Sequence, residues 1–314
     1  MRKKVYLVGS TGFVGNNLVE NGCFDMMAHS TDVKNMYYHE PDILIYAGVT
    51  GTKWLANQNP DRDQENIESA KKNINLIKPK KLVLISTVDV YDNLNKTNEQ
   101  SVICENNLHT YGQHRYRLEK WVESNCSDYH IVRIPALYGK NLRKNFVYDL
   151  INLIPMMLKD KDLKKIELRI DNITKFYEKN NDGLNVLKAG IEPMRLADLR
   201  MKFVDITENA LQFTNSNSTY QFYNLKWLWK DIQDTINNKI KVRNIVTEPI
   251  KAGELYQCVV GRQWINNVPA EINYNIQTIY GKESKYTKSK ETVLNDLKKY
   301  CIKEIKEKYE KSEL

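Results

Sequence analysis

The chain is poor in the features that mark several common protein classes. Its 314 residues hold five cysteines, Cys23, Cys104, Cys126, Cys258 and Cys301, with no C-x-x-C spacing. That scatter argues against a cysteine metal site and a disulfide framework, and it fits a reducing compartment. No apolar run approaches the roughly 20 residues of a membrane-spanning helix. The basic start Met1-Arg2-Lys3-Lys4 is followed by an apolar stretch that breaks at Gly9, too short for the core of a secretion signal. A cytoplasmic protein without membrane insertion is expected. The net charge is +8, and its densest stretches, Lys159–Lys188 and Lys282–Lys311, also carry acids. Solvated helix faces account for such stretches better than a phosphate-tracking groove, so no nucleic-acid partner is expected.

Glycine is scarce, 13 in all, yet three stand together in Val5-Tyr6-Leu7-Val8-Gly9-Ser10-Thr11-Gly12-Phe13-Val14-Gly15. An apolar run of strand length ends in a glycine turn, and a helix pattern follows. Bare backbone there can approach a pyrophosphate, while the helix behind presents N–H groups and the positive end of its dipole. Gly9, Thr11, Gly12, Phe13, Val14 and Gly15 are therefore candidate cofactor contacts. Asp32 lies 17 residues past Gly15, near where an acid binds a ribose 2′-hydroxyl. Ser30 and Thr31 beside it could hold a 2′-phosphate instead. NAD and NADP both remain open.

Short apolar runs at Val5–Val8, Ile43–Ala47, Leu82–Ser86 and Ile131–Ile134 read as strands covered on both faces. Helices are expected between them at Phe13–Glu20, Asp61–Ile77 and Tyr111–Ser124. The alternation predicts an α/β fold, a Rossmann-type doubly wound parallel sheet with right-handed crossovers. Between Gly15 and Ile43 there is room only for one strand, around Met26–Ser30, and a short helix, Val33–His39. A closing helix is expected over Ser289–Ser312.

Three further segments carry chemistry. Leu84-Ile85-Ser86-Thr87-Val88-Asp89-Val90-Tyr91 is a buried strand ending in hydroxyls, and ligands bind at such carboxyl ends. His109-Thr110-Tyr111-Gly112-Gln113-His114-Arg115 opens a helix, and Val132-Arg133-Ile134-Pro135-Ala136-Leu137-Tyr138-Gly139 leaves a strand. Taken in order, these motifs and Ala47-Gly48 resemble the extended short-chain dehydrogenase/reductases that modify nucleotide sugars. The matches are Thr87 with Val90-Tyr91, then Tyr111-Gly112 with Glu119, then Arg133 with Tyr138-Gly139. They span Val5 to Gly139.

The resemblance implies an NAD(P)-dependent epimerase or ketoreductase acting on a nucleotide sugar in bacterial surface glycan synthesis. Tyr111 would be the proton-transfer group, with Thr87 orienting it and the reacting oxygen. The family's lysine four residues on is replaced here by Arg115. Arginine keeps the charge and offers donors to the nicotinamide ribose, but it is not interchangeable with lysine. Tyr116 and Lys120 form a literal Tyr-x-x-x-Lys, but on another helix face and without the glycine. Ala47, Gly48, Ile134 and Pro135 would line the cofactor. Asp89, Tyr138, Asn145 and Phe146 would meet the substrate, with Phe146 stacking on its base. His109 and His114 are expected as surface helix residues, and Trp227 and Trp229 as core. Residues 1–141 would form the dinucleotide-binding domain. Residues 142–314 would form a smaller α/β substrate-binding region, with segments near 220–250 returning to the sheet. No metal is called for, and a homodimer through two helices is common in the family. The other reading is an NAD(P)-sensing binding protein of weak or no activity.

Overall fold

The computed structural model describes residues 2–29, 31–281 and 284–310. They divide into two compact units. The first comprises Met1–Leu142, Gln221–Pro249 and Tyr274–Lys290, and the second comprises Arg143–Tyr220, Ile250–Asn273 and Glu291–Leu314. The first opens with β1 (Val5–Val8), α1 (Phe13–Asn21), β2 (Met26–Ala28), β3 (Ile43–Tyr46), α2 (Lys53–Gln58) and α3 (Pro60–Ile77). It continues with β4 (Leu82–Thr87), α4 (Thr110–Asn125), β5 (Tyr129–Ile134) and β6 (Ala136–Tyr138). The second unit supplies α5 (Phe146–Asn152), β7 (Met157–Leu158), α6 (Asp160–Glu167), β8 (Tyr177–Lys179), β9 (Asn185–Leu187), α7 (Pro193–Val204) and β10 (Thr219–Tyr220). Then follow β11 (Phe222–Asn224), α8 (Leu228–Asn237) and β12 (Val242–Asn244) of the first unit, β13 (Ile250–Lys251) and α9 (Ala252–Val260) of the second, and α10 (Lys290–Ile305).

Six strands of the first unit form one sheet in the order β12-β5-β4-β3-β1-β2, every pair parallel. The apolar runs explain this. Side chains alternate along a strand, so a strand buried on both faces feeds two cores. Tyr6, Val8, Leu44, Tyr46, Leu82 and Leu84 pack with Ile67, Ile74 and Ile77 of α3 and with Leu118 and Val122 of α4. Leu7, Ile43, Ile45 and Val83 pack the other way, with Leu18 of α1 and Leu228 and Ile232 of α8. Among the described residues no helix is long and apolar enough to cross a membrane.

The strand order reverses between β1 and β3. That puts a topological switch, and hence a crevice, beyond their carboxyl ends. On the far side of β1 the sheet stops at β2. The helix expected over Val33–His39 is only a 3-10 turn, Val33–Met36, that leads straight to β3. The strand expected to reach Ser30 ends at Ala28, and Ser30 itself lies outside the described residues. The adenosine side of a doubly wound sheet is thus short here by one outer strand.

Candidate active site

Two of the three glycines at the switch are required by the fold itself. Gly9 has φ +93°, and a Cβ on it would stand 2.4 Å from the Ala47 carbonyl oxygen. A Cβ on Gly15 would stand 2.0 Å from the Gly9 oxygen. Gly12 differs. Its φ is an ordinary −72°, it is exposed, and a Cβ would meet only the Gly9 oxygen at 3.3 Å. Gly12 is also the N-cap of α1, with no side-chain cap and no acid in the first turn. The first N–H groups of the helix are left to a ligand, and the missing Cβ opens the way to them. This cradle fits a pyrophosphate. Thr11 is exposed beside it, and Phe13 and Val14 are half-buried. Ala47 and Gly48 close the β3 side, where the Ala47 N–H donates to the Val8 carbonyl at 2.9 Å.

Beyond β2, Asp32 is committed to its own turn. It accepts from the His29 backbone N–H at 2.7 Å and lies 3.3 Å from His29 Nε2. The Thr31 hydroxyl is 2.8 Å from His29 Nδ1. His29 is therefore the organising residue of this corner, and no spacing rule in the sequence singled it out.

The reacting corner is built at the ends of β4 and α4. Thr87 ends β4, and its Oγ1 accepts from the Asp89 N–H at 3.1 Å, capping the turn Val88–Val90. The same hydroxyl lies beside the Tyr111 side chain and favours its ionised form. Tyr111 enters from α4, whose start lies so close that a Cβ on Gly112 would be 2.1 Å from the Asp89 carbonyl oxygen. His109 is the N-cap and accepts from the Gly112 N–H at 3.1 Å. Burial raises the Tyr111 phenol above its usual 10, although Arg115 and the nearby Thr87 hydroxyl pull it down. His109 stays exposed, as expected, and partial desolvation with the charges of Lys53 and Arg115 lowers its imidazole below its usual value.

Arg115 does not extend toward a ligand as the family lysine would. It is buried, and its guanidinium grips Asp63 of α3 through both terminal nitrogens. Nη2 also donates to the Thr50 carbonyl at 2.5 Å and Nη1 to the Tyr111 carbonyl at 3.3 Å. The guanidinium carbon lies 3.9 Å from the centre of the Tyr111 ring. His114, expected at the surface, is buried with Nδ1 2.8 Å from Asp63. A stripe of α4 facing the core with His, Arg and Glu defeats apolar periodicity, which is why its partners were not legible.

Asp89 accepts from Lys53 Nζ and from the Tyr274 hydroxyl, each at 2.8 Å. Lys53, 39% exposed, is the cation of this corner that keeps access to solvent. Nothing in the sequence marked Lys53, Asp63 or Tyr274.

The remaining family motif residues are structural. Glu119 is fully buried, accepts from Ser86 at 2.5 Å and pairs with Arg133 at 2.6 Å. Arg133 donates in turn to the Tyr91 hydroxyl at 2.7 Å. Tyr138, expected to face substrate, has no exposure and packs edge-on against Trp227. Ile134 pairs with Thr87 across the sheet and packs into the core, with Pro135 half-buried after it.

Asn145 and Phe146 lie in the second unit. Asn145 caps α5, accepting from Val147 and Tyr148. Phe146, expected to stack on a base, is buried between Tyr220 and Trp264, at ring distances of 6.3 and 5.7 Å. Its faces are already occupied.

A family profile described as the RmlD substrate binding domain matches residues 3–166, over half of the chain. No curated protein matches by sequence. Solved structures of similar fold include a dTDP-4-dehydrorhamnose reductase from Yersinia enterocolitica, with TM-score 0.60, 13% identity, and coverage of 97% of this chain and 100% of that one. Another, from Bacillus anthracis and in complex with NADP, gives TM-score 0.57 at 16% identity over 98% of this chain and 100% of that one. A UDP-N-acetylglucosamine 4-epimerase from Methanobrevibacter ruminantium, in complex with UDP-N-acetylmuramic acid, gives TM-score 0.59 at 11% identity over 96% and 97%. At these identities the likeness is one of fold.

Proposed function

The chain belongs to the RmlD substrate binding domain family, within the extended short-chain dehydrogenase/reductases, and from that premise we propose that it is an NAD(P)-dependent nucleotide-sugar reductase or epimerase of surface glycan synthesis. The observation that carries the reading is the pair Thr87–Tyr111, set at the carboxyl end of the sheet whose switch point holds the open Gly12 cradle. A bound nicotinamide would supply or accept hydride. Gly12 and the first turn of α1 would hold its pyrophosphate, with Ala47 and Gly48 alongside. Thr31 and Asp32 sit where the adenosine ribose is expected.

Tyr111 is a phenol at neutral pH, and a phenol gives a proton. In reduction it would protonate the oxygen of a sugar ketone as hydride reaches the carbonyl carbon. Thr87 would hold that oxygen by a hydrogen bond. Asp89 and Lys53 would meet substrate beside them, Lys53 through an ammonium with a donor to spare. Arg115 would contribute charge against the ring, with its two terminal nitrogens bonded to Asp63, Thr50 and Tyr111.

The test is a panel of dTDP-, UDP-, GDP- and CDP-sugars, including 4-keto forms, with the oxidised or the reduced form of NAD and of NADP. A reductase oxidises one reduced cofactor per sugar, seen as loss of its absorbance. An epimerase leaves the cofactor unchanged and yields a new sugar by chromatography. A second reading is favoured by the locked Arg115: a protein that binds NAD(P) and senses it. Cofactor binding with no product from any sugar would select it.

A further inference from the structure

Asp63 is the least expected residue beside Tyr111. It is 4% exposed and sits in the first turn of α3, far in sequence from every motif. A buried carboxylate survives only when paired and hydrogen-bonded. Asp63 has such partners in both nitrogens of the Arg115 fork and in His114. Counted over Asp63, Thr50 and Tyr111, four of the five N–H groups of Arg115 are taken, leaving Nε–H. The fork cannot rotate toward a ligand without stripping a buried acid. Its flat face, 3.9 Å from the ring centre, stays on Tyr111. A lysine has no fork for Asp63 to orient, so the acid and the arginine make sense only together.

We propose that Asp63 is a positioning residue for Tyr111, fixing the Arg115 guanidinium against the phenol ring and balancing its charge there. This rests on Tyr111 being the proton-transfer group. The other charged and titratable groups around Tyr111 are Lys53 of α2, Asp89 after β4, and His109 and His114 of α4. Asp89 and Asp63 both oppose the phenolate, whereas Arg115 favours it. Asp63→Asn keeps an amide to hold the Arg115 fork but removes the charge that balances it, so the phenol is expected to titrate lower. A residue that served only to hold the fold would change stability and leave that titration in place.

The experiment is an NMR titration of the full chain labelled with carbon-13 at the tyrosine ring, with the Tyr111 signal identified by its loss in Tyr111→Phe. We expect Asp63→Asn to titrate measurably below wild type, and Asp63→Glu to return toward wild type. In an active chain the alkaline limb of kcat/KM moves by the same amount. An unmoved Tyr111 signal in folded Asp63→Asn overturns the proposal. Should Asp63→Asn not fold, Arg115→Lys keeps the charge and loses the fork, and an unmoved signal there overturns it equally. The titration needs no turnover. Absence of activity with every sugar would therefore defeat the catalytic reading of Tyr111 while the NMR result still decides the Asp63–Arg115 claim.

Discussion

Tyr111 concentrates opposing influences in one side chain. Burial, with the charges of Asp89 and Asp63, pushes its phenol up, while Arg115 and the neighbouring Thr87 hydroxyl pull it down, and burial wins. The sign has a kinetic consequence. Reduction needs the protonated phenol, so its rate should hold through neutrality and fall as pH rises through the raised value. Oxidation needs the phenolate and should gain with pH over the same range. A pH profile of both directions checks this, and a reduction limb near neutrality would exclude Tyr111 as the acid. Tyr111→Phe keeps the ring against Arg115 and loses only the hydroxyl. It should lower kcat by about 10²–10⁴-fold and leave cofactor affinity within a few-fold. Comparable loss of binding would mean that the hydroxyl serves the cofactor and not the reaction.

At the level of elements, strand ends and helix starts make the site. The glycine turn separates fold from function. Gly15→Ala drives a Cβ into the Gly9 carbonyl at 2.0 Å and should cost about 3 kcal/mol in denaturant unfolding. Gly12→Ala meets only a 3.3 Å contact, so its stability should stay within about 1 kcal/mol of wild type. Its NADPH affinity should nevertheless fall about tenfold or more, because the cradle is then filled. Equal affinity in Gly12→Ala would show that the turn is architecture alone. Behind the site, Glu119 clamps α4 to β4 and β5 through Ser86 and Arg133. Glu119→Ala strands a buried guanidinium and should cost about 3–5 kcal/mol. Chemical unfolding measures it, and a loss below about 1 kcal/mol would mean that water replaces the carboxylate.

These elements also show what was legible. The apolar runs of β1, β3, β4 and β5 declared themselves because strands buried on both faces carry little else. The thinness before Ile43 was visible by counting residues. Motif order located Thr87 and Tyr111. Pairings across distant segments were not legible: Asp63 with Arg115, Lys53 with Asp89, and the return of Tyr274–Lys290 to the first unit. Each joins residues with no common period. Tyr138 and Phe146 misled for a related reason, since an aromatic that fills a core and one that stacks on a base look alike in sequence.

For the whole molecule, the strongest consequence of the reading is thermodynamic linkage. The candidate cofactor contacts, from Gly9 to Pro135, all belong to the first unit. A dinucleotide that binds only the folded chain at about 100 times its Kd adds about 2.7 kcal/mol. At about 2–4 °C per kcal/mol, the transition containing the first unit should rise by roughly 5–10 °C. The +8 charge offers a competing route to such a shift, because any polyanion could stabilise a basic chain. Salt separates the two. Stabilisation by net charge fades steeply as ionic strength rises, whereas a pyrophosphate held by backbone N–H groups at Gly12 keeps most of its effect at physiological salt. Differential scanning calorimetry with NADPH, NADH and tripolyphosphate, at low and physiological salt, should show a salt-resistant rise with a dinucleotide alone. That rise should be absent in Gly12→Ala. If tripolyphosphate matches the dinucleotides at both salts, or if cofactor-free protein is moved by neither dinucleotide, the glycine cradle is not a cofactor site and the oxidoreductase reading falls with it.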